Sequence, residues 1–451
     1  MTSILWFRQD LRLHDQPALA AAVRGGAVIP VYVLDDETPG AWRIGAAQRW
    51  WLHHSLAALD RDLRALGSRL ILRRGRADTT LRALLAETGA GTIHAIRHYE
   101  PWWRAAEAAL GTALTLHGGN HLHRIEDVTT GSGGQFRVFS AFYRALSLRL
   151  PPADPLPAPS RIQAPGHWPD SDRLADWGLL PRHPDWAGGF DVWSPGEAAA
   201  RAATEAFAAQ ADGYEAARNL PAVEGTSRLS PHLHHGEVSP RHVWHAVQGQ
   251  GQGEGAASFL RELAWRDFAA GMVLAAPRYG ERNGRPAFDR LPWRDAPEDL
   301  RAWQQGRTGY PIVDAGMRQL WSTGWMHNRV RMIAASFLTK HLLIDWRAGE
   351  RWFWDTLVDA DYGNNAVNWQ WVAGTGTDAN MFGRIMAPLT QSAKFDAGDY
   401  IRQWVPELRD VAHTAIHDPE EVGCRPPAYP TKIIGHRAAR ERALAAARFA
   451  R

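Results

Sequence analysis

Trp369 lies inside, and Trp293 and Trp346 lie upstream of, the stretch DADYGNNAVNWQWVAGTGTDANMFGRIM (359–386). Thirteen of its residues, Asp359 to Trp371, include two aspartates, three asparagines and two tryptophans. Shortly before it, WMHNRVRM (325–332) places Asn328, Arg329 and Arg331 within one helical turn. A hydrophobic core does not need large aromatics beside paired acids and arginines. A redox pigment such as a flavin does, because indoles can relay single electrons while polar groups hold its ring edge and its phosphates.

Two further clusters have chemical content. TSRLSP (226–231), twelve residues after Tyr214, offers hydroxyls and backbone N–H groups where a loop enters a helix. That arrangement suits a pyrophosphate, and equally a helix cap beside an exposed arginine. In RELAWRDF (261–268), Glu262 and Trp265 are one helical turn apart and project from the same side, an acid beside a flat apolar wall. Asn328 and Arg331 share a helix face in the same way. HLHHGE (232–237) has three histidines but no spaced partner motif, so no metal is expected there.

The elements that must position these residues fall into two halves. Before 130, the apolar runs at 3–7, 27–34, 69–75 and 91–99 read as buried strands. Helical patterns such as QPALAAAVR and AAQRWWLHHSLAALDRDLRALG separate them. This alternation predicts an open, mostly parallel, Rossmann-like α/β domain over 1–130. Its lack of G-x-G-x-x-G and of a P-loop argues against a conventional dehydrogenase or NTPase. Residues 131–196, rich in Pro, Gly and Trp, read as a connector wrapped over the surface. From 197 to 451 the periodicity is helical, which predicts an all-α second domain. No internal repeat is visible.

Composition bounds the function. The 451 residues carry 51 basic and 48 acidic side chains, a net +3, so nucleic-acid binding would rest on local clusters and not on global charge. Only Lys340, Lys394 and Lys432 are lysines, an arginine bias that a GC-rich genome explains. A single cysteine, Cys424, excludes an internal disulfide or a cysteine-based metal site. No run is long and apolar enough for a membrane span, and MTSILWFRQD does not read as a signal peptide, so a cytoplasmic protein is expected.

The chain resembles the photolyase/cryptochrome family throughout, from WFRQDLRLHDQPAL (6–19) to the dense matches over 214–408. The resemblance implies an N-terminal α/β domain for an antenna pigment and a C-terminal helical domain burying FAD. In family register, Tyr214, Thr226, Ser227, Arg228, Leu229 and Ser230 become phosphate-side contacts. Arg266, Asn328, Arg331, Asp359 and Asp361 complete the flavin site, with Arg331 paired to Asp359. Asn365 matches the position beside flavin N5. Trp369, Trp346 and Trp293 become an electron-transfer triad running from the flavin to the surface. Glu262, Trp265, Met332 and Trp371 match the pocket for a cyclobutane pyrimidine dimer, whereas enzymes for the (6-4) lesion place histidine where Met332 stands. Arg329 is assigned to the substrate DNA, and Arg266, Arg384, Lys394 and Gln391 are further candidates around the pocket.

The antenna region departs from the pattern. Folate-binding members use a glutamate just after the strand near position 99, where HYEPWWRAAE (98–107) offers Trp102 and Trp103. Methenyltetrahydrofolate stacked on an indole is the expectation, with a deazaflavin or FMN as alternatives. The implied activity is light-dependent repair of pyrimidine dimers by a monomer acting on damaged DNA, without membrane or obligate protein partner. A cryptochrome-type blue-light receptor and a (6-4) photolyase are the alternatives. A nucleotide-binding transfer protein, which the N-terminal sheet alone would allow, finds no support in the helical half.

Overall fold

The apolar runs near the N-terminus form a five-stranded sheet: β1 (Thr2–Phe7), β2 (Ala27–Leu34), β3 (Ile71–Arg74), β4 (Thr92–Ile96) and β5 (Leu114–His117). All pairings are parallel, in the order β3-β2-β1-β4-β5. β2 is buried along its whole length, as a strand covered by helices on both faces must be. The fifth strand, LTLH, was not among the sequence-read strands. It is a short, half-exposed edge and carries little apolar signal. In this computed structural model the described residues are 1–251, 253–377, 379 and 385–450.

Four helices serve the sheet: α1 (Pro17–Gly25), α2 (Ala46–Ala65), α3 (Ala77–Thr88) and α4 (Pro101–Leu110). Next comes α5 (Phe139–Ser147), within the segment read as connector, whose Phe139, Phe142 and Leu146 pack into the helical half. The remaining helices are α6 (Glu197–Ala208), α7 (Tyr214–Ala217), α8 (Ser230–His234), α9 (Pro240–Gln250), α10 (Glu254–Ala275), α11 (Pro297–Gln304), α12 (Pro311–Thr323), α13 (Asn328–Ser336), α14 (Trp346–Thr356), α15 (Tyr362–Ala373), α16 (Pro388–Lys394), α17 (Gly398–Trp404) and α18 (His436–Ala446). No described helix is long and apolar enough to cross a membrane.

One apolar cluster runs from the sheet (Ile4, Trp6, Ile29) into the helical half (Trp303, Trp346, Trp369), so the two halves share a core. Polar bonds reinforce the seam. Trp354 Nε1 donates to Arg43 O at 2.8 Å, and Gln48 Nε2 donates to Trp354 O at 3.1 Å. Trp51 Nε1 donates to the buried Glu237 carboxylate at 3.0 Å. Gly45 is required at this contact, because a Cβ there would lie 2.3 Å from Trp354 O.

Candidate active site

Three helices that carry most of the implicated residues begin with a side-chain cap. His327, Asp345 and Asp361 accept the backbone N–H of Arg329, Arg347 and Asn364, which opens α13, α14 and α15. Each cap fixes the first turn, and the first turns bear Asn328, Arg329, Arg331, Trp346 and Asn365.

The polar cradle is built around Asp359. Arg331 grips its carboxylate with both Nη atoms at 3.1 and 2.9 Å, and Ser230 Oγ donates to it at 2.6 Å. The carboxylate is almost wholly buried, so removing one partner would leave a costly uncompensated charge. Ser227 Oγ accepts Leu229 N–H at 3.3 Å, and Arg228 takes a positive φ of 51°, an uncommon backbone for a non-glycine. α8 runs only five residues, too short for a strong helix dipole, so an anion beside 226–230 would be held by hydroxyls and loop N–H groups. Tyr214 opens α7 and meets Phe259 of α10 edge-on. Asn328 is exposed at the start of α13. Asn365 Nδ2 donates to Glu350 O at 3.1 Å, which orients its amide and leaves a second N–H and Oδ1 to act.

Asp361 and Arg266 lie elsewhere, in a polar, partly open pocket at the seam between the halves. Its walls combine Gln9, His98, Glu100 and His121 from the ends of β1, β4 and β5 with His234, Arg266, Asp361 and Asn364. This is the crevice beyond the carboxyl ends of the strands, where the strand order reverses between β1 and β4. Burial would raise the Asp361 carboxyl, but His234, 4.0 Å away, together with Asn364 N–H and Arg266 holds it down at about 2. Burial and then the charge of Asp361 push Glu100 up to about 7. Burial drives His121 down to about 3. Arg266 Nη2 donates to Leu233 O at 3.1 Å, while its buried Nη1 has no partner among the described residues. A buried guanidinium with a free donor fits an acidic or carbonyl-bearing ligand edge. Sequence reasoning missed Gln9, His98, Glu100 and His121, since nothing local links four loop residues to a helical site.

Of the three indoles, Trp369 and Trp346 are buried and Trp293 is half-buried. Trp369 meets Phe353 edge-on at 5.0 Å and Trp303 at 6.3 Å. It also lies against Gly349, where an added Cβ would come 2.2 Å from its ring. Gly349 is one turn from Trp346 on α14, so Trp369 packs directly on the helix bearing Trp346. Trp346 Nε1 donates to Asn283 Oδ1 at 2.9 Å, and the Arg347 guanidinium lies 4.7 Å over its ring. Trp293 packs against the outer cluster of Phe288, Leu291 and Ala447.

A second, partly open cleft has Trp265 and Trp371 among its walls, with Phe268, Tyr279 and Val367. Phe139 stacks flat on Trp265, centroids 3.5 Å apart and planes within 6°, so α5 fixes the orientation of that indole. Glu262 and Met332 do not line this cleft. They are tied together through consecutive residues instead. Arg218 binds Glu262 at 2.6 Å, and Asn219 Oδ1 accepts from Arg329 Nε at 3.2 Å and Nη2 at 2.5 Å. Arg329 Nη1 in turn lies 4.0 Å from Met332 Sδ. Arg218, Asn219 and Phe139 were not read from sequence, because each acts by holding another side chain from a distant segment. Gln391 and Lys394 belong to α16, while Arg384 lies outside the described residues. The histidines of HLHHGE are engaged in structural contacts: His232 with Glu237, His234 with Gln48 and His235 with Val358 O.

The indoles at 102 and 103 point in different directions. Trp103 turns inward onto Trp6 at 5.9 Å. Trp102 faces the seam, edge-on to Tyr362 at 5.3 Å and near Trp354 at 6.5 Å, and Trp42 joins the same group.

Comparison with known proteins matches residues 3–160 to the family model "DNA photolyase" and residues 259–448 to "FAD binding domain of DNA photolyase". The chain is 48% identical to a deoxyribodipyrimidine photo-lyase of Agrobacterium fabrum, over 98% of this chain and 97% of that protein. It is 38% identical to cryptochrome-1 of Arabidopsis thaliana, over 92% of this chain and 64% of that longer protein. The crystal structure of a class III photolyase from Agrobacterium tumefaciens superposes with a TM-score of 0.94 at 47% identity, covering 100% of this chain and 97% of that one.

Proposed function

This chain belongs to the photolyase/cryptochrome family, and we propose that it is a deoxyribodipyrimidine photo-lyase that repairs cyclobutane pyrimidine dimers in DNA with light and bound FAD. The observation that carries this reading is the pair Trp265 and Trp371 facing one cleft, with the ion-paired Glu262 one turn from Trp265. Two flat apolar walls suit two fused pyrimidines lifted from the stack, and a dimer leaves the duplex cheaply because its bases already pair poorly. Met332 keeps an apolar side chain where (6-4) enzymes place histidine, which favours the cyclobutane lesion.

Each residue has a part. Arg331, Asp359 and Ser230 form the anchored polar floor that holds the cofactor, and Thr226 and Ser227 with their loop N–H groups receive its phosphates. Asn365, steered by Glu350 O, presents its amide to the ring, while Asp361 and Arg266 serve its polar side. When bound, the reduced flavin supplies the light-driven electron that opens the cyclobutane ring and recovers it afterwards, so the cycle has no net redox change. Glu262, held by Arg218 one turn from Trp265 and outside the cleft walls, is assigned to the pyrimidine edge of a dimer that extends beyond those walls, where it keeps the dimer in register. Trp293, Trp346 and Trp369 would form the path by which an electron from an external reductant at the surface reaches the cofactor site. A second chromophore belongs to the same reading. Trp102 packs with Trp42, Trp354 and Tyr362 in the core of the seam, so the residues that would hold a second chromophore are not among these four.

The likeness to cryptochrome-1 makes a blue-light receptor the second reading. Duplexes carrying one thymine cyclobutane dimer or one (6-4) product separate the possibilities when each is mixed with reduced holoenzyme under blue light. Restoration of the cyclobutane dimer alone is expected. Repair of neither lesion, with reduced flavin present in the sample, would transfer the assignment to a receptor.

A further inference from the structure

Trp346 is fully buried, and its Nε1–H donates to Asn283 Oδ1 at 2.9 Å. Buried Trp303 and Trp354 give the same group to backbone carbonyls, those of Ala334 and Arg43. Trp346 uses a side-chain amide instead, and that amide is itself held. Asn283 Nδ2 donates to Asp289 Oδ1 at 2.6 Å. The amide fits only one way round, because an indole N–H only donates and a carboxylate only accepts. Asn283 is buried, whereas Asp289 is exposed. Two hydrogen bonds in series thus connect an indole in the core to a carboxylate at the surface.

The loop carrying Asn283 is fixed from α15, the helix that bears Trp369. Gln370 Nε2 donates to Tyr279 O at 2.6 Å and to Arg282 O at 3.0 Å, and its Oε1 accepts Gly284 N–H at 2.7 Å. Gly284 leaves no space for a side chain, since a Cβ there would lie 2.7 Å from Tyr279 Oη. Asn283 is therefore kept against Trp346 by bonds on both sides of it.

On the electron path proposed above, Trp346 gives an electron to Trp369, and its ring carries one positive charge until Trp293 refills it. The N–H is a much stronger donor in that interval. An acceptor polarised by a carboxylate then stabilises the charged ring more than the neutral one. The Arg347 guanidinium, 4.7 Å over the ring, acts in the opposite sense, and its pairing with Asp345 offsets part of its charge. An amide oxygen is too weak a base to take the indole proton, so Trp346 relays electrons alone. We infer that Asn283, polarised by Asp289, is a positioning residue that stabilises the transient charge on Trp346. Trp293 is refilled by an external thiol, two thiols closing to one disulfide and releasing two protons for every two electrons delivered.

The test follows two signals in holoenzyme with a thiol present: flavin bleaching under blue light, and decay of the tryptophan-cation absorbance after a flash. Asn283→Leu keeps the volume without an acceptor and is expected to slow bleaching about five- to ten-fold, the loss of one hydrogen bond to a charged group. Asp289→Asn keeps an acceptor for Asn283 but not the charge, and should slow it about two-fold, with faster decay of the cation signal. Asp289→Glu restores the charge at an exposed position and should recover the wild-type rate. High salt should bring wild type towards Asp289→Asn, because an exposed carboxylate is screened. In a Trp346→Phe background, Asn283→Leu should add nothing. Unchanged bleaching and cation decay in both Asn283→Leu and Asp289→Asn would overturn the assignment, as would a full additional loss from Asn283→Leu in the Trp346→Phe background. Slowing in Asp289→Asn that ignores salt and comes with a lowered denaturant midpoint would make the pair merely structural. Wild-type bleaching by Trp346→Phe would refute the electron path itself, and the role of Asn283 with it.

Discussion

Trp369 is the residue where packing and electron relay make competing demands. Its ring is fixed against Gly349, Phe353 and Trp303, an arrangement that leaves no room to reorient and so sets a constant distance to α14. Phenylalanine fills much of the same space but is far harder to oxidise. Trp369→Phe is expected to slow photoreduction of the oxidised flavin at least ten-fold, followed as bleaching of the flavin band under blue light with external reductant. Chemically reduced enzyme should still repair a dimer duplex, because that step does not draw on the tryptophans. Loss of repair in the pre-reduced sample would show that Trp369 belongs to the lesion pocket instead. At this scale the sequence was informative where a residue acts through its own chemistry. The family resemblance implies that Arg331 pairs with Asp359, and the structure pairs them. The sequence was silent where a residue acts by holding another, as Phe139 does for Trp265 and Asn219 for Arg329.

At the scale of elements, α14 shows how a cap reaches the redox route. Asp345 accepts Arg347 N–H at 3.0 Å and also binds the Arg347 guanidinium, which lies over Trp346. Asp345→Ala removes the cap and that ion pair together. A loss of about 1 kcal/mol is expected from the cap, read as a lower denaturant midpoint with flavin release as the probe. Asp345→Asn should recover most of it, since asparagine caps equally well. A midpoint unchanged by alanine would mean that tertiary packing alone holds the first turn of α14. Element boundaries were legible for the same reason that caps are: β1, β2 and β4 and the long helices follow their apolar periods. β5 and α5 were not, one because an edge strand needs little hydrophobicity, the other because its helix sits among Pro- and Gly-rich turns. Only tertiary contact shows that α5 packs with α10.

At the scale of the whole molecule, the seam decides whether the two halves act as one. Their shared apolar core is continuous, but the polar cavity beside it gathers Glu100 and Asp361 from opposite sides. Asp361, held at about 2, keeps its charge, so the proton in this pair resides on Glu100, held at about 7 first by burial and then by Asp361. The linkage has a definite sign. Between about pH 4.5 and 7 the folded chain retains a proton on Glu100 that the unfolded chain has released, so stability declines as pH rises through that window. A displacement of this size is worth on the order of 3 kcal/mol once the pH lies above both values. His98 and His121, lowered by burial, contribute in the opposite direction, with stability lost as pH falls. A comparison of two variants at each pH cancels that common background. Glu100→Gln keeps the shape and cannot ionise, so its stability relative to wild type should improve by about 2–3 kcal/mol between pH 5 and pH 8 in denaturant unfolding. A stability difference that stays constant over that range would mean that Glu100 does not carry the proton. The seam would then be held by its apolar core and by the bonds from Trp51, Gln48 and Trp354 alone.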